Sequence, residues 1–245
     1  MTETTAPTVA LVHGAFADSS GWNDVVRQLR AAGIAVQAVS NPLRGIAADT
    51  AYVASALRQI PGPVLAVGHS YGGAIITNAA AQVDNVVGLV YVAAFAPDEG
   101  EALQDIEGES RDSVLMTALT QLQYPTGAGT ETAVEFAIDL AKFHDAFAAD
   151  LPADEAAVMA ATQRPVSAFG FSERNGPPAW KSLPSWAVVA TGDKAAGSDV
   201  VRRMAERAGA TITEVAASHV VMVSQPRAVT DVIRQALESV GRARP

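Results

Sequence analysis

Val64-Leu65-Ala66-Val67-Gly68-His69-Ser70-Tyr71-Gly72-Gly73-Ala74 runs from an apolar, β-branched stretch into a Gly- and Ala-rich one without a break. The apolar run predicts a buried strand over Val64–Gly68, and the small residues from Gly72 to about Gln82 predict a helix. The spacing Gly68-x-Ser70-x-Gly72 joins the two. A strand-to-helix turn this sharp forces its central residue into strained backbone and lifts the hydroxyl above the sheet. Flanking glycines answer to the same geometry, because a Cβ there would meet the neighbouring strand and helix. The start of the helix also favours developing negative charge. A bare G-x-S-x-G arises by chance in Gly-rich loops; the strand before it and the helix after it single this one out.

Outward from this turn, short apolar runs alternate with helical stretches, the pattern of a parallel sheet flanked by helices. Strands are expected over Thr8–Val12, Ile34–Val39 and Val86–Phe95, and again over Ser185–Ala190 and Thr211–Val215. Helices are expected over about Gly21–Ala32, Ala47–Gln59, Ser198–Ala208 and Pro226–Val240. Between 97 and about 180 the rhythm breaks. Leu103–Leu122, Glu131–Ala149 and Ala153–Gln163 read as helices, with no convincing strand. The simplest organisation is a sheet domain, 1–96 and 181–245, interrupted by a helical insertion over 97–180.

A serine hydroxyl needs a base to become a nucleophile, and the chain offers four histidines. His13 follows the first strand in a His-Gly turn, where bracing the backbone is the natural role. His69 lies inside the turn itself, and its side chain is expected to point away from the exposed face of Ser70. His144 falls in the insertion, where a solvated or packed histidine is the plain reading. His219 sits after the last strand and before the last helix, at the same end of the sheet as Ser70. It is the candidate base. The acid that orients the imidazole is assigned to Asp193, just past the Ser185–Ala190 strand. Asp98 competes from the end of Val86–Phe95, but Glu99 and Glu101 beside it suggest a solvated face. Two oxyanion donors are also needed. The Tyr71 N–H supplies one, and the loop His13-Gly14-Ala15-Phe16 supplies the other through Ala15 N–H. Phe16, Tyr71, Phe95 and Val220 are candidate pocket residues, and Phe143, Phe147, Phe169, Phe171, Trp180 and Trp186 could also include pocket walls, although aromatic residues at such spacings are more often core.

Composition bounds the partners. A chain of 245 residues with 49% hydrophobic and 18% charged residues fits one sizeable globular domain. A net charge of −9 opposes binding to nucleic acid or anionic membranes. Without cysteine there is no disulfide and no thiolate metal site, and no metal is assigned. Met1–Pro7 lacks the basic start and apolar stretch of a secretion signal, so a cytoplasmic location is expected. The sequence leaves a homo-oligomer open.

With these residues in view, the chain resembles the α/β-hydrolase superfamily, and within it the plant methyl esterases, the hydroxynitrile lyases and small bacterial esterase-like proteins. Leu11-Val12-His13-Gly14-Ala15, Gly68 to Gly73 and Ser218-His219 to Met222 carry the resemblance. It implies an α/β fold with a mostly parallel sheet of about six strands, the triad order Ser70, Asp193, His219, a cap formed by 97–180, and no cofactor. It also sorts activities. The lyases place a threonine where Gly14 stands and a lysine directly after the catalytic histidine, where this chain has Val220, so lyase chemistry is disfavoured. Dehalogenases and epoxide hydrolases use a carboxylate nucleophile, which Ser70 rules out.

The expected reaction is hydrolysis of a small, neutral, largely apolar carboxylic ester through an acyl-enzyme. Six acidic residues at 98, 99, 101, 105, 107 and 109, with no base among them, would repel anionic substrates if they faced the entrance. Other readings on the same triad are haloperoxidase or carbon–carbon hydrolase chemistry, cofactor-free oxidation, and a small-molecule receptor that binds without turnover.

Overall fold

The computed structural model describes residues 6–242; Met1–Thr5, part of the polar N-terminal stretch, and 243–245 lie outside the described residues. The chain opens with β1 (Thr8–Val12), α1 (Asn23–Ala31), β2 (Val36–Val39), α2 (Ile46–Arg58), β3 (Val64–His69), α3 (Tyr71–Ala80) and β4 (Val86–Val92). These elements match the expected ones to within a few residues. β1, β3 and β4 pair in parallel, with Val12 opposite Gly68 and His69 opposite Val92, so their carboxyl ends share one rim.

An insertion separates β4 from the rest of the sheet. It contains α4 (Leu103–Gly108), α5 (Leu115–Ala118), β5 (Leu119–Pro125), β6 (Thr132–Ile138), α6 (Phe143–Phe147), α7 (Ala153–Thr162), β7 (Val166–Ser167) and α8 (Phe169–Ser172). The sheet then resumes with β8 (Ser185–Ala190), α9 (Ser198–Arg207) and β9 (Thr211–Val215), followed by α10 (Val221–Ser224) and α11 (Pro226–Arg242). The main sheet has six parallel strands in the order β2-β1-β3-β4-β8-β9. β3, near its centre, is buried along its whole length, whereas the edge strands β2 and β9 are half exposed.

The flanking helices show why they lie where they do. α11 buries Val229, Val232, Ile233, Ala236 and Val240, a stripe at helical spacing, and packs against α1, β4 and β8. α3 is buried on every side; its Gly and Ala residues let it sit close to β1, β3 and β4.

The insertion corrects the helical expectation. Leu119–Pro125 and Thr132–Ile138 form an antiparallel hairpin, Leu119 opposite Ile138 and Pro125 opposite Thr132, with β7 added beyond β6. The physical reason is period. In Thr132-Ala133-Val134-Glu135-Phe136-Ala137-Ile138 the larger side chains alternate with Ala and Glu, the spacing of a strand. The turn between the strands uses Gly127 and Gly129 at positive φ, 86° and 62°. The long helices expected over Leu103–Leu122 and Glu131–Ala149 shrink to α4, α5 and the single turn of α6. Among the described residues no helix is long and apolar enough to cross a membrane.

Candidate active site

Ser70 is the residue between β3 and α3, at φ 53° and ψ −125°. A non-glycine residue in that region costs about 1–3 kcal/mol, and the surroundings hold it there. Ser70 N donates to Val92 O at 3.3 Å, and Ser70 O accepts from Gly73 N at 2.9 Å and Phe95 N at 3.2 Å. The turn can be this tight because Gly72 has no side chain: a Cβ there would stand 2.5 Å from Val12 O.

β8 and β9 deliver two further side chains to the same rim. Asp193 lies three residues past β8, and its Oδ1 accepts from Ala195 N at 2.9 Å and Ala196 N at 3.0 Å. Its Oδ2 accepts from His219 Nδ1 at 2.8 Å, with both side chains about 1% exposed. With the ring proton on Nδ1, Nε2 keeps its lone pair and can serve as a base. His219 in turn is tied to the serine turn. Its backbone carbonyl accepts from His69 Nε2 at 3.0 Å, and the two imidazole rings lie 4.6 Å apart. Burial, reinforced by His219 nearby, holds His69 well below the usual histidine range, so it stays neutral. Among the described residues no hydrogen bond joins Ser70 Oγ to His219; bonds between a nucleophile and its base are often long in structures without substrate.

The loop after β1 faces Ser70 from the other side. His13 Nδ1 donates to Gly14 O at 2.9 Å, and its Nε2 accepts from Asn41 N at 3.0 Å. Burial keeps this imidazole neutral too, and Asn41 Nδ2 donates to His13 O. The brace presents Ala15. Among the described residues neither the Ala15 nor the Tyr71 amide donates to a backbone carbonyl, so both are available to an oxygen atom. Close packing makes Gly14 obligatory here: a Cβ would lie 2.6 Å from the Ser70 Cβ and 2.9 Å from His69 O. Gly14→Ala is therefore expected to cost about 1–3 kcal/mol in urea denaturation by displacing Ser70. An unchanged denaturation midpoint would count against this packing.

The remaining candidates divide. Phe16, at φ 59° and buried, meets Phe147 edge-on at 6.3 Å and stacks with Phe171 at 6.4 Å. Phe95 is buried behind Ser70, which its amide contacts, and Val220 is buried at the start of α10. The Tyr71 side chain turns away from the serine, and its hydroxyl donates to buried Asp49 at 2.8 Å. Asp98 sits apart from His219, paired with Lys181 at 2.5 Å, whose ammonium holds its carboxyl below the usual carboxylate range. His144 binds Leu151 O in the insertion. The acidic run is not a free negative rim. Asp98, Glu101 and Glu109 pair with Lys181, Arg207 and Arg203, and Glu107 is buried.

The sequence offers Phe147 as one of many aromatic residues that could line a pocket, but gives no sign of its place beside His219 or of the contacts around Ser218. Phe147 lies against the His219 ring at 4.8 Å. Ser218 Oγ bonds Asp150, and Phe147 O lies 3.4 Å from it, which clamps the α6 region to the loop bearing His219. His69 was legible as part of the turn, but not as its tie to that loop. Among the described residues no group of three or more His, Asp or Glu side chains is arranged to hold a metal.

Known proteins share this architecture. The model of a family described as the alpha/beta hydrolase family matches residues 9–232. No curated protein matches the sequence. Among solved structures, polyneuridine aldehyde esterase is similar with a TM-score of 0.77 at 18% identity, over 97% of this chain and 100% of that one. A pyrethroid hydrolase from Sphingobium faniae JZ-2 gives 0.73 at 21% identity, over 96% and 98%. An extracellular alpha/beta-hydrolase from a Paenibacillus species, described as sharing structural and functional homology with tobacco salicylic acid binding protein 2, gives 0.75 at 19%, over 94% and 98%. At such identities the likeness establishes the fold.

Proposed function

The chain belongs to the alpha/beta hydrolase family, and on that premise we propose that it is a serine hydrolase of small, largely neutral carboxylic esters, working through an acyl-enzyme on Ser70. The observation that carries this reading is the buried Asp193–His219 pair, tied through His69 to the strained turn that bears Ser70. In the proposed reaction Ser70 Oγ attacks the ester carbonyl while His219 Nε2 takes its proton. The Ala15 and Tyr71 amides receive the developing oxyanion. His219 then protonates the leaving alcohol, and water activated by the same nitrogen releases the acid.

The proposed substrate class follows from the surroundings of these groups. Phe16, Phe147 and Phe171 give the site an apolar aromatic wall contributed largely by the insertion, and we read residues 97–180 as a cap over the centre. Two of the similar structures are named as an esterase and a hydrolase, which supports the same kind of chemistry here. Fluorophosphonate labelling with mass mapping tests the nucleophile, and a panel of p-nitrophenyl esters of increasing acyl length tests the substrate. The expected result is a single adduct on Ser70 and a preference for short, uncharged acyl groups. An adduct elsewhere, or no turnover of any ester, would overturn the reading.

A further inference from the structure

Glu107 belongs to the acidic run, yet it is 5% exposed, and its Oε2 has no hydrogen-bond partner among the described residues. Its other oxygen meets Ser113 Oγ. That hydroxyl also lies 2.7 Å from Ala195 O, the carbonyl of the residue whose amide rests on Asp193. One hydroxyl proton faces two oxygen acceptors. Both contacts are satisfied when Ser113 donates to Ala195 O and Glu107 itself carries a proton and donates to Ser113. Resting on the hydrolase reading above, we propose that Glu107 is a positioning residue for the Ser70–His219–Asp193 centre: a neutral carboxylic acid that, through Ser113, holds the loop cradling Asp193.

The surroundings support a neutral acid. Burial pushes the Glu107 carboxyl up to about 8, and the negative charges of Asp193 and Asp199 add to the shift. Those two acids, on the loop after β8 and on α9, are the charges that bear on it. Asp105, the other acid on α4, is exposed, and Glu101 and Glu109, which flank the helix, are occupied by Arg207 and Arg203. The segment around Ser113 lies along the Asp193 loop at other points too: Val114 N donates to Lys194 O at 2.8 Å, and Ser110 Oγ to Asp199 Oδ1 at 2.6 Å. Once Glu107 ionises, Ser113 must turn its proton to the carboxylate. Ala195 O then loses its donor, and a second anion faces Asp193. Ester turnover is thus expected to fall as pH rises through about 8.

The test compares Glu107→Gln and Glu107→Ala with the unaltered enzyme. Glutamine has an N–H that can donate to Ser113, and it cannot ionise; alanine does neither. The unaltered enzyme should lose about ten-fold in kcat/KM on the alkaline side. E107Q should lack that limb, and E107A should be impaired at every pH, with E107Q recovering most of the loss at about pH 7. An alkaline limb unchanged in E107Q, or E107A matching E107Q at every pH, overturns the proposal.

A second readout is independent of turnover. A carboxyl whose folded value lies above its unfolded one keeps its proton while the unfolded chain releases it. Between about 4.5 and about 8, rising pH therefore lowers the stability of the unaltered protein relative to E107Q. If the melting temperature of the unaltered protein does not fall relative to that of E107Q across that window, Glu107 is not a buried neutral acid and the proposal ends. Absence of turnover from the unaltered enzyme, with that relative fall present, would instead refute the hydrolase reading and the positioning role with it.

Discussion

Ser70→Ala is expected to lower kcat for p-nitrophenyl acetate by about 10⁴-fold or more while leaving the fold and its stability in place. The first half follows from the chemistry: without Oγ no acyl-enzyme forms, and only binding and oxyanion stabilisation remain. The second half follows from the packing. Alanine keeps the Cβ, and it keeps the three backbone bonds that Ser70 makes with Val92, Gly73 and Phe95. It is no more strained than serine at φ 53°. Chemical denaturation should thus stay within about 0.5 kcal/mol. Glycine at the same position would relieve strain, so S70G should be equally inactive but more stable than S70A by about 0.5–1 kcal/mol. Turnover at the original rate in either variant would remove Ser70 from the reaction. Loss of turnover together with loss of fold would show that the serine is needed for structure.

The sheet was legible because the same physical signal marks each of its strands. Val64–His69, Ser185–Ala190 and Thr211–Val215 are short apolar or β-branched runs that lead within four residues to Ser70, Asp193 or His219. In a parallel sheet the carboxyl ends of such runs meet at one edge. Ser70, Asp193 and His219 could therefore be brought together from their places in the chain, although 123 and 26 residues separate successive members. The insertion was not legible in the same way. The helix propensity of the Leu, Ala and Glu residues spread through 103–149 hid the two-residue alternation in Thr132–Ile138 and the turn at Gly127 and Gly129. Pairing between β5 and β6 outweighs that propensity, as tertiary context often does. Glu107 was hidden for a related reason. In the sequence it is one of six carboxylates between 98 and 109, and only the fold of α4 turns it inward toward Ser113 while Asp98, Glu109 and Glu101 reach Lys181, Arg203 and Arg207. Ser218 and Asp150 are 68 residues apart in the chain, and nothing in either neighbourhood announces the clamp they form.

Asp193→Asn should cost about 10⁴-fold in kcat/KM, the scale that the same substitution has in serine proteases, and the hydrogen bonds around it show why. Ala195 N–H and Ala196 N–H both point at one oxygen of residue 193. Asparagine can satisfy them only by turning its carbonyl oxygen toward them, which leaves its NH₂ facing His219 Nδ1. Two donors cannot share that contact, so the ring must move its proton to Nε2. The nitrogen that should accept the Ser70 proton is then already occupied. Overall shape and burial are kept, so the loss should appear in kcat with little change in KM. Asp98→Asn is the matched control, since Asp98 also follows a strand end at the same rim. It breaks only the partly exposed contact with Lys181, and activity should stay within about two-fold. Steady-state kinetics on both variants, with denaturation curves to confirm folding, decides between them. D193N retaining more than about a tenth of the original kcat/KM, or D98N proving the more damaging, would move the acid away from Asp193.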